Sequence, residues 1–351
     1  MSHYSFGDKT TMRHKGLQLF IIELFLLHLA CQKSVEPVAT GSALPPVYIT
    51  VAGHIEDVPA YAAKKSYVDF RQKLLEFADE FAATGAALNL QIDYEFLYGT
   101  LHHETDSLRA LTKGKNVIDY LVHEYGFEID AHQEGGREEG QDNYADVHYV
   151  GKLLCEAFSD VVGGLVWDDP PQFACLAEGE PGRLFPHYVW KPAILTLAVG
   201  RQHHLGDFSR DDIASGVWKP KGAFADFWVH DPQGCMAYVG PGEHADQWGD
   251  KKPDFLSTPE FVQAILNEQT AGAIDIDKMY TVTLAVPQKI IFDRSERGKL
   301  WDILDRLKPT IDSGQAKYVT YSEAVRIWKA EFQEAPNIYF RKGVTPPHAL
   351  P

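Results

Sequence analysis

The chain has 351 residues, 45% of them hydrophobic, enough for one large domain or two small ones. Its formal net charge of -16 comes with no Lys/Arg-rich stripe, which argues against a nucleic-acid partner. Acidity alone suits a soluble protein and names no substrate.

The N-terminus reads as a targeting segment. Lys9, Arg13, His14 and Lys15 precede the apolar run "GLQLFIIELFLLHLAC", whose length fits a signal-peptide core better than a membrane span. Leu29-Ala30-Cys31 resembles a bacterial lipoprotein box, which would make Cys31 a lipidated mature N-terminus. An ordinary cleaved signal and a membrane anchor are the alternatives. Either way the expected location is extracytoplasmic, as a membrane-anchored lipoprotein or a secreted protein. Membrane contact is expected only through that segment. With Cys31 set aside, Cys155, Cys175 and Cys235 leave room for at most one disulfide, and Cys155 reads as a packing residue.

A linker over 32–45 leads to a domain expected over 46–335, followed by a tail at 336–351. "PVYITVAG" predicts a strand, and "YVDFRQKLLEFADEFAATG" a helix closed by Gly85. "ALNLQIDYEF" is a strand, "NVIDYLVHEYG" a helix ending at Gly126, and "GFEIDAH" a third strand. "NYADVHYVGKLLCEAF" is a helix capped by Asp142 or Asn143, and "VVGGLVWDD" a fourth strand. From about Pro170 to Gly249 the chain is rich in Gly, Pro, Trp and His. There "AILTLAVG" and "ADFWVHD" read as strands carrying long loops. Helix "TPEFVQAILNEQ", strand "MYTVTLAVP", helix "RGKLWDILDRLK", strand "AKYVTY" and helix "SEAVRIWKAEF" complete the pattern. Strand-helix alternation implies a parallel sheet with helices outside. The absence of GxGxxG after the first strand turns the reading from an open dinucleotide fold to a closed β/α barrel.

Barrel active sites lie at the C-terminal ends of strands. Polar groups gather there: His54, Glu56 and Asp57 after the first strand, Asp93 and Glu95 after the second, His132 and Glu134 after the third, and Trp167 with Asp168 and Asp169 after the fourth. Two clusters of His and carboxylate suggest a divalent metal, zinc or a similar transition metal, with an open position for water. A neighbouring carboxylate would take the proton of that water. The alternative is a polar rim that binds sugar hydroxyls without metal. Asp146 would either orient a ligand histidine or cap its helix. Trp190, Trp218, Trp228 and Trp248 would either stack on sugar rings or pack beneath long loops.

The strand-helix order, "GKNVIDYLVHEYGFEIDAHQEGG" with "NYADVHYVGKLL", and the ending "LDRLKPTIDSGQAKYVTYSEAVRIW" together resemble the polysaccharide deacetylase (NodB-homology) superfamily, as a divergent member. The likeness runs from roughly Val47 to Trp328 with a poorly matched middle. It implies a distorted (β/α)7-8 barrel and a metal-dependent hydrolase acting on a carbohydrate. In that family a strand-one Asp pair supplies base and metal ligand, and a His-x3-His pair supplies two further ligands. Asp57, with Glu56 beside it, takes the place of the Asp pair, and His132 that of the first histidine. Position 136 is Gly, so Glu134 or His148 would replace the second. The family's late Leu-x-His motif is replaced by "LAVPQ". The expected metal ligands are therefore His54, Asp57, His132, Glu134 and His148, and the catalytic carboxylates Glu56, Asp57 and Glu134. Asp130 and Asp146 are expected behind the ligands, and Asp93, Glu95, Trp167 and Trp218 against substrate. A glycan-binding surface lipoprotein without catalysis, or a metal-free glycosidase with paired carboxylates, are the alternatives.

Overall fold

A computed structural model describes residues 44–56, 59–133, 142–163, 166–167, 170–197, 199–200, 213–243, 248 and 255–343. The N-terminal segment expected to act in targeting, with Cys31, and Asp57, Glu134, Asp168 and Asp169, lie outside the described residues. Of Trp167 only the backbone is described. Among the described residues no helix is long and apolar enough to cross a membrane.

Strand β1 (Val47–Ile55) sets the architecture, because both of its faces are buried. Val47, Ile49, Val51 and Ile55 face the outer helices, whereas Tyr48 and Ala52 face a second, inner cluster. Two apolar faces on one strand are the mark of a parallel sheet covered on both sides. Helix α1 (Lys64–Ala82) follows, burying Leu74, Phe77 and Phe81, and Gly85 takes φ 73° just beyond it. Next come β2 (Leu88–Ile92), α2 (Tyr94–His103), the short α3 (Asp106–Ala110) and α4 (Val117–Tyr125), which ends at left-handed Gly126. Then follow β3 (Glu128–His132), α5 (Tyr144–Leu154), β4 (Val161–Gly163), β5 (Val166–Trp167) and α6 (Pro170–Glu178).

The middle region departs from expectation. It holds β6 (Glu180–Pro181), β7 (Val189–Trp190), β8 (Ile194–Thr196), β9 (Val199–Gly200), β10 (Ser215–Trp218) and β11 (Ala237–Pro241). "ADFWVHD" is not a strand: Phe224–Trp228 forms a 3-10 turn. The last part runs α7 (Thr258–Thr270), β12 (Thr281–Val286), α8 (Gln288–Phe292), α9 (Gly298–Asp312), β13 (Ala316–Tyr318) and α10 (Tyr321–Glu331). Helix α7 starts with a Ser257–Glu260 capping box and carries Pro259 in its first turn.

The main sheet runs β10-β11-β8-β4-β3-β2-β1-β12, with β13 beside the first half of β1. All its pairings are parallel except β10 with β11. Its two ends nearly meet. Across that seam Thr281 N donates to Ser215 Oγ at 3.0 Å and Gly216 N donates to Thr281 Oγ1 at 2.8 Å, in place of a backbone ladder. The result is a nearly closed, distorted β/α barrel. Tyr339 pairs with Ser215 beside this seam, so the chain after α10 packs on the barrel.

The interior is closed from the N-terminal end of the strands by α10. Its Tyr321, Val325 and Trp328 fill the inner cluster with Tyr48, Val217 and Val239. Glu128, at the start of β3, accepts hydrogen bonds from the free amides of Tyr321 (2.8 Å) and Ser322 (3.1 Å). An acidic group on the first turn of a helix is favoured electrostatically. The opposite, C-terminal end of the strands carries the polar groups.

Candidate metal centre

Alternation along β1 decides which way His54 points. Tyr48, Thr50, Ala52 and His54 share one parity, and the first three face the barrel interior. His54 does the same at the mouth, and Glu56 follows two residues later. On β3 the same rule aims Asp130 and His132 inward, and on β2 it aims Asn89 and Gln91. Strand β2 lies between β1 and β3. Even so, the His54 and His132 rings approach to 4.8 Å between centroids, leaning together over the end of β2.

Glu56 completes the group. Its Oε2 lies 2.5 Å from His132 Nε2 and 3.5 Å from His54 Nδ1. One ligand atom from each of His54, Glu56 and His132 can be chosen so that all lie within 4.8 Å of one another. The tautomer of His132 follows from its other nitrogen. Nδ1 is 3.1 Å from the carbonyl of Gly163, which can only accept, so Nδ1 carries a proton. Nε2 therefore faces the carboxylate either as an imidazolium N–H that donates to it or, when the ring is neutral, as a lone pair that a shared cation would bridge. A backbone-held Nδ1–H with Nε2 presented to a cation is how ligand histidines are oriented. His54 Nε2 is buried and has no partner among the described residues. An imidazole nitrogen left bare in a buried place costs free energy unless something binds it. Burial alone would raise the pKa of Glu56, but the adjoining His54 and His132 outweigh it and hold the carboxylate well below its usual range. The residues present therefore fit a divalent metal.

Two neighbours that sequence reasoning missed shape this mouth. Gln91, opposite His54 on β2, is fully buried, and neither atom of its amide has a hydrogen-bond partner among the described residues. Its amide occupies the space left by the missing side chain of Gly163, where an added Cβ would overlap Nε2, Cδ and Oε1. Gln288, the residue after "LAVP", accepts from Tyr61 Oη at 2.8 Å and from Glu56 N at 3.4 Å through Oε1. The only signal in the sequence was position: each is a polar or small residue near the C-terminal end of an apolar strand.

The other expected site residues fall elsewhere. His148 is not at the mouth. Its Nδ1 meets Tyr188 Oη at 2.6 Å and its Nε2 Asp160 Oδ1 at 3.0 Å, and its ring stacks on Trp190 at 4.3 Å. Asp160 immediately precedes β4, whereas Gly163, which holds His132, ends it. Burial pushes the pKa of His148 down, against the opposing pull of Asp160. Asp146 does not orient a ligand histidine: it forms a capping box with Asn143 and accepts from the amides of Arg183, Leu184 and Phe185. Asp130 is held by Asn89 Nδ2 at 2.6 Å, deeper in the barrel than His132, and burial raises its pKa well above the usual carboxylate value. Gly163, not Asp130, supplies the contact behind His132. Trp218 is fully buried, donates Nε1 to Phe227 O, and packs among Phe227, Trp228 and Tyr238. No face of it is open to a sugar ring. Asp93 caps α2 by accepting from Phe96 N at 3.2 Å, and Glu95 sits half-buried in that helix's first turn. A second donor cluster, Asp119, His123 and Cys155, lies on α4 and just after α5, where Asp119 also pairs with Lys115 and His123 is exposed.

No protein-family model matches the chain, and no curated protein sequence matches it. Solved structures give distant likenesses. One is a protein assigned as a polysaccharide deacetylase from Mycobacterium smegmatis, 12% identical over 87% of this chain and 97% of that one, TM-score 0.42. Another so assigned, from Pseudomonas aeruginosa PAO1, is 11% identical over 81% of this chain and 91% of that one, TM-score 0.45. The 4-alpha-glucanotransferase of Thermococcus litoralis is 14% identical over 84% of this chain and 41% of that one, TM-score 0.43. Likeness at this level assigns no activity.

Proposed function

We propose that this protein is a metal-dependent hydrolase of the cell envelope that acts on a carbohydrate in the manner of a deacetylase. One observation carries the reading: two imidazoles and a carboxylate from different strands converge at the C-terminal mouth of a β/α barrel, with one imidazole nitrogen buried and bare. The sequence resemblance supports the deacetylase class, and the N-terminal segment supports the envelope location.

His54, Glu56 and His132 would hold the ion, and nitrogen with oxygen donors suits zinc or a similar transition metal. When bound, the ion would polarise an acyl oxygen and lower the pKa of a water molecule. Gly163 fixes the His132 ring and its tautomer through Nδ1. Glu56 stays ionised, so it is available as a ligand or as an acceptor of a water proton. Asp57 and Glu134 keep their expected roles as base or further ligand.

The test is metal analysis of the purified full chain beside release of acetate from acetylated oligosaccharides. We expect about one equivalent of transition metal per chain, its loss in His132→Ala, and acetate release by the loaded protein. A folded protein that takes up no metal refutes the mechanism. A second reading, glycan binding without turnover, is favoured by the amide of Gln288 at the end of "LAVPQ", which cannot pass a proton to a leaving group. Tight binding without turnover under several metals would select it. A metal-free glycosidase needs two carboxyl groups facing each other; among the described residues Glu56 instead pairs with imidazoles.

A further inference from the structure

We infer that Gln288 is the residue that grips the substrate's acyl oxygen beside the candidate metal centre, with Tyr61 as the positioning residue that aims it. This rests on the metal-hydrolase reading and deepens it, because it selects an acyl group, ester or amide, as the part of the substrate that is recognised.

The argument starts from which way the amide faces. Gln288 opens α8 directly after β12, the strand beside β1. One atom of its amide meets Tyr61 Oη at 2.8 Å and Glu56 N at 3.4 Å. A backbone N–H can only donate, so the amide atom it meets is the oxygen. Tyr61 must then donate as well. Its hydroxyl is suited to that: burial, Asp93 and Glu56 all push its pKa upward, so it keeps its proton. Two donors on Oε1 leave the two hydrogens of Nε2 directed away from them. Gln288 is half-buried, and Nε2 has no partner among the described residues. The amide that carries this donor thus sits against the backbone of Glu56, whose carboxylate meets His132.

That donor is neutral and only donates, so its partner is an acceptor oxygen. The centre beside it offers a place for a second oxygen. An acyl group at hydrolysis, and the carboxylate it yields, present two oxygens on one carbon. Among the described residues the ion pairs of Glu56 are with His54 and His132, not Lys or Arg, so beyond the bound ion no fixed cation paired there would favour a phosphate dianion over a carboxylate. Preorganised donors aimed at an acyl oxygen are a usual source of transition-state stabilisation. Such a donor does not replace a proton-transferring histidine, so protonation of the leaving group falls to another residue or to water.

The experiment titrates sodium acetate into the zinc-loaded full chain and follows binding by calorimetry, with zinc content and circular dichroism measured on every variant. Gln288→Met keeps the length and removes the donor, and should weaken acetate about tenfold with zinc retained. Gln288→Glu keeps an acceptor for Tyr61 and should abolish acetate binding, which covers the case where Gln288→Met folds poorly. Tyr61→Phe should weaken acetate by roughly two- to fivefold, and combining it with Gln288→Met should cost no more than Gln288→Met alone. That non-additivity is not expected of two merely structural residues. Zinc-retaining Gln288 variants that bind acetate as the wild type does overturn the assignment and leave the hydrolase reading standing. Inorganic phosphate binding more tightly than acetate overturns the acyl class. A folded wild type that takes up no zinc overturns both readings together.

Discussion

Replacing Gly163 with Ala perturbs both the stability of the barrel and the candidate metal centre, and the size of each effect follows from the neighbours of this glycine. Its backbone angles do not demand glycine; the space does. The new methyl would fall on three atoms of the Gln91 side chain, which is fully buried. Either Gln91 leaves its rotamer, at about 0.5–1.5 kcal/mol, or β4 shifts and draws the Gly163 carbonyl from His132 Nδ1, at about 0.5–1.5 kcal/mol. Overpacking of a buried site, such shifts included, costs about 1–3 kcal/mol in all. The expected loss is therefore about 1–3 kcal/mol, a sizeable part of a typical domain's stability. Gln91→Ala alone should cost less than truncation of an apolar core residue, because it also removes two buried polar atoms that lack partners among the described residues. In the double variant the clashing atoms are gone, so the two costs should fail to add by about 1–3 kcal/mol. Urea unfolding of the wild type, both single variants and the double variant measures this coupling. Metal titration reads the second effect: a displaced carbonyl behind His132 should weaken binding by roughly 10- to 100-fold. Costs that add within about 0.5 kcal/mol would refute the packing argument, and unchanged metal affinity would refute the orienting role of Gly163.

Glu180 should make the protein less stable as pH rises, opposite to an ordinary salt-bridged carboxylate. Burial is the largest cause of its pKa rising to about 7, opposed by Ala145 N, Arg183 and Asn143 and aided by Asp146. Below the unfolded pKa both states hold the proton and the contribution is complete; between about 4.5 and 7 only the folded state holds it, so stability falls with rising pH by at most about 3 kcal/mol. Thermal unfolding from pH 5 to 8 should show Glu180→Gln with a flatter profile and a higher Tm at pH 8; parallel profiles would contradict this. Trp218→Phe should lower stability through lost packing and the lost bond to Phe227 O, yet leave oligosaccharide binding unchanged, since the ring is fully buried. Weaker binding in a variant of unchanged fold, by calorimetry, would return Trp218 to the substrate surface.

The outer strands were legible because burial on both faces writes itself into the sequence. "VYITVAG" and "TVTLAV" are apolar or β-branched nearly throughout, and only a covered parallel strand needs that. The middle was not legible, and glycine is the reason. Strands β10 and β11 contain Gly216 and Gly240, and glycine is depleted in strands. A Cβ at Gly216 would meet the backbone of Asn337, and one at Gly240 the backbone of Ala214, so both mark close backbone approach at the seam. "ADFWVHD" looked like a strand because aromatic residues favour strands. Phe227 and Trp228 instead serve an aromatic cluster around Trp218 and Tyr238. His148 was drawn to the metal by a gap in a motif; helical periodicity places it among buried residues of α5, and its partners Tyr188, Asp160 and Trp190 are far along the chain.

The parity of the site residues was readable, and their convergence was not. Alternation fixes His54, Gln91 and His132 on the inner faces of β1, β2 and β3, but it is silent on how far apart inner faces stand. In a flat sheet, strands β1 and β3 would be separated by two spacings of about 4.8 Å, with the end of β2 between the two imidazoles. The rings instead meet at 4.8 Å. Closure makes the difference: as the sheet curves into a barrel, side chains on its concave face tilt toward one another. The same closure depends on the seam between β10 and β12, where Thr281, Ser215 and Gly216 replace a ladder with side-chain bonds. The candidate centre therefore rests on residues at the far side of the barrel as well as on its own strands, and no motif local to "GHIED" carries that information.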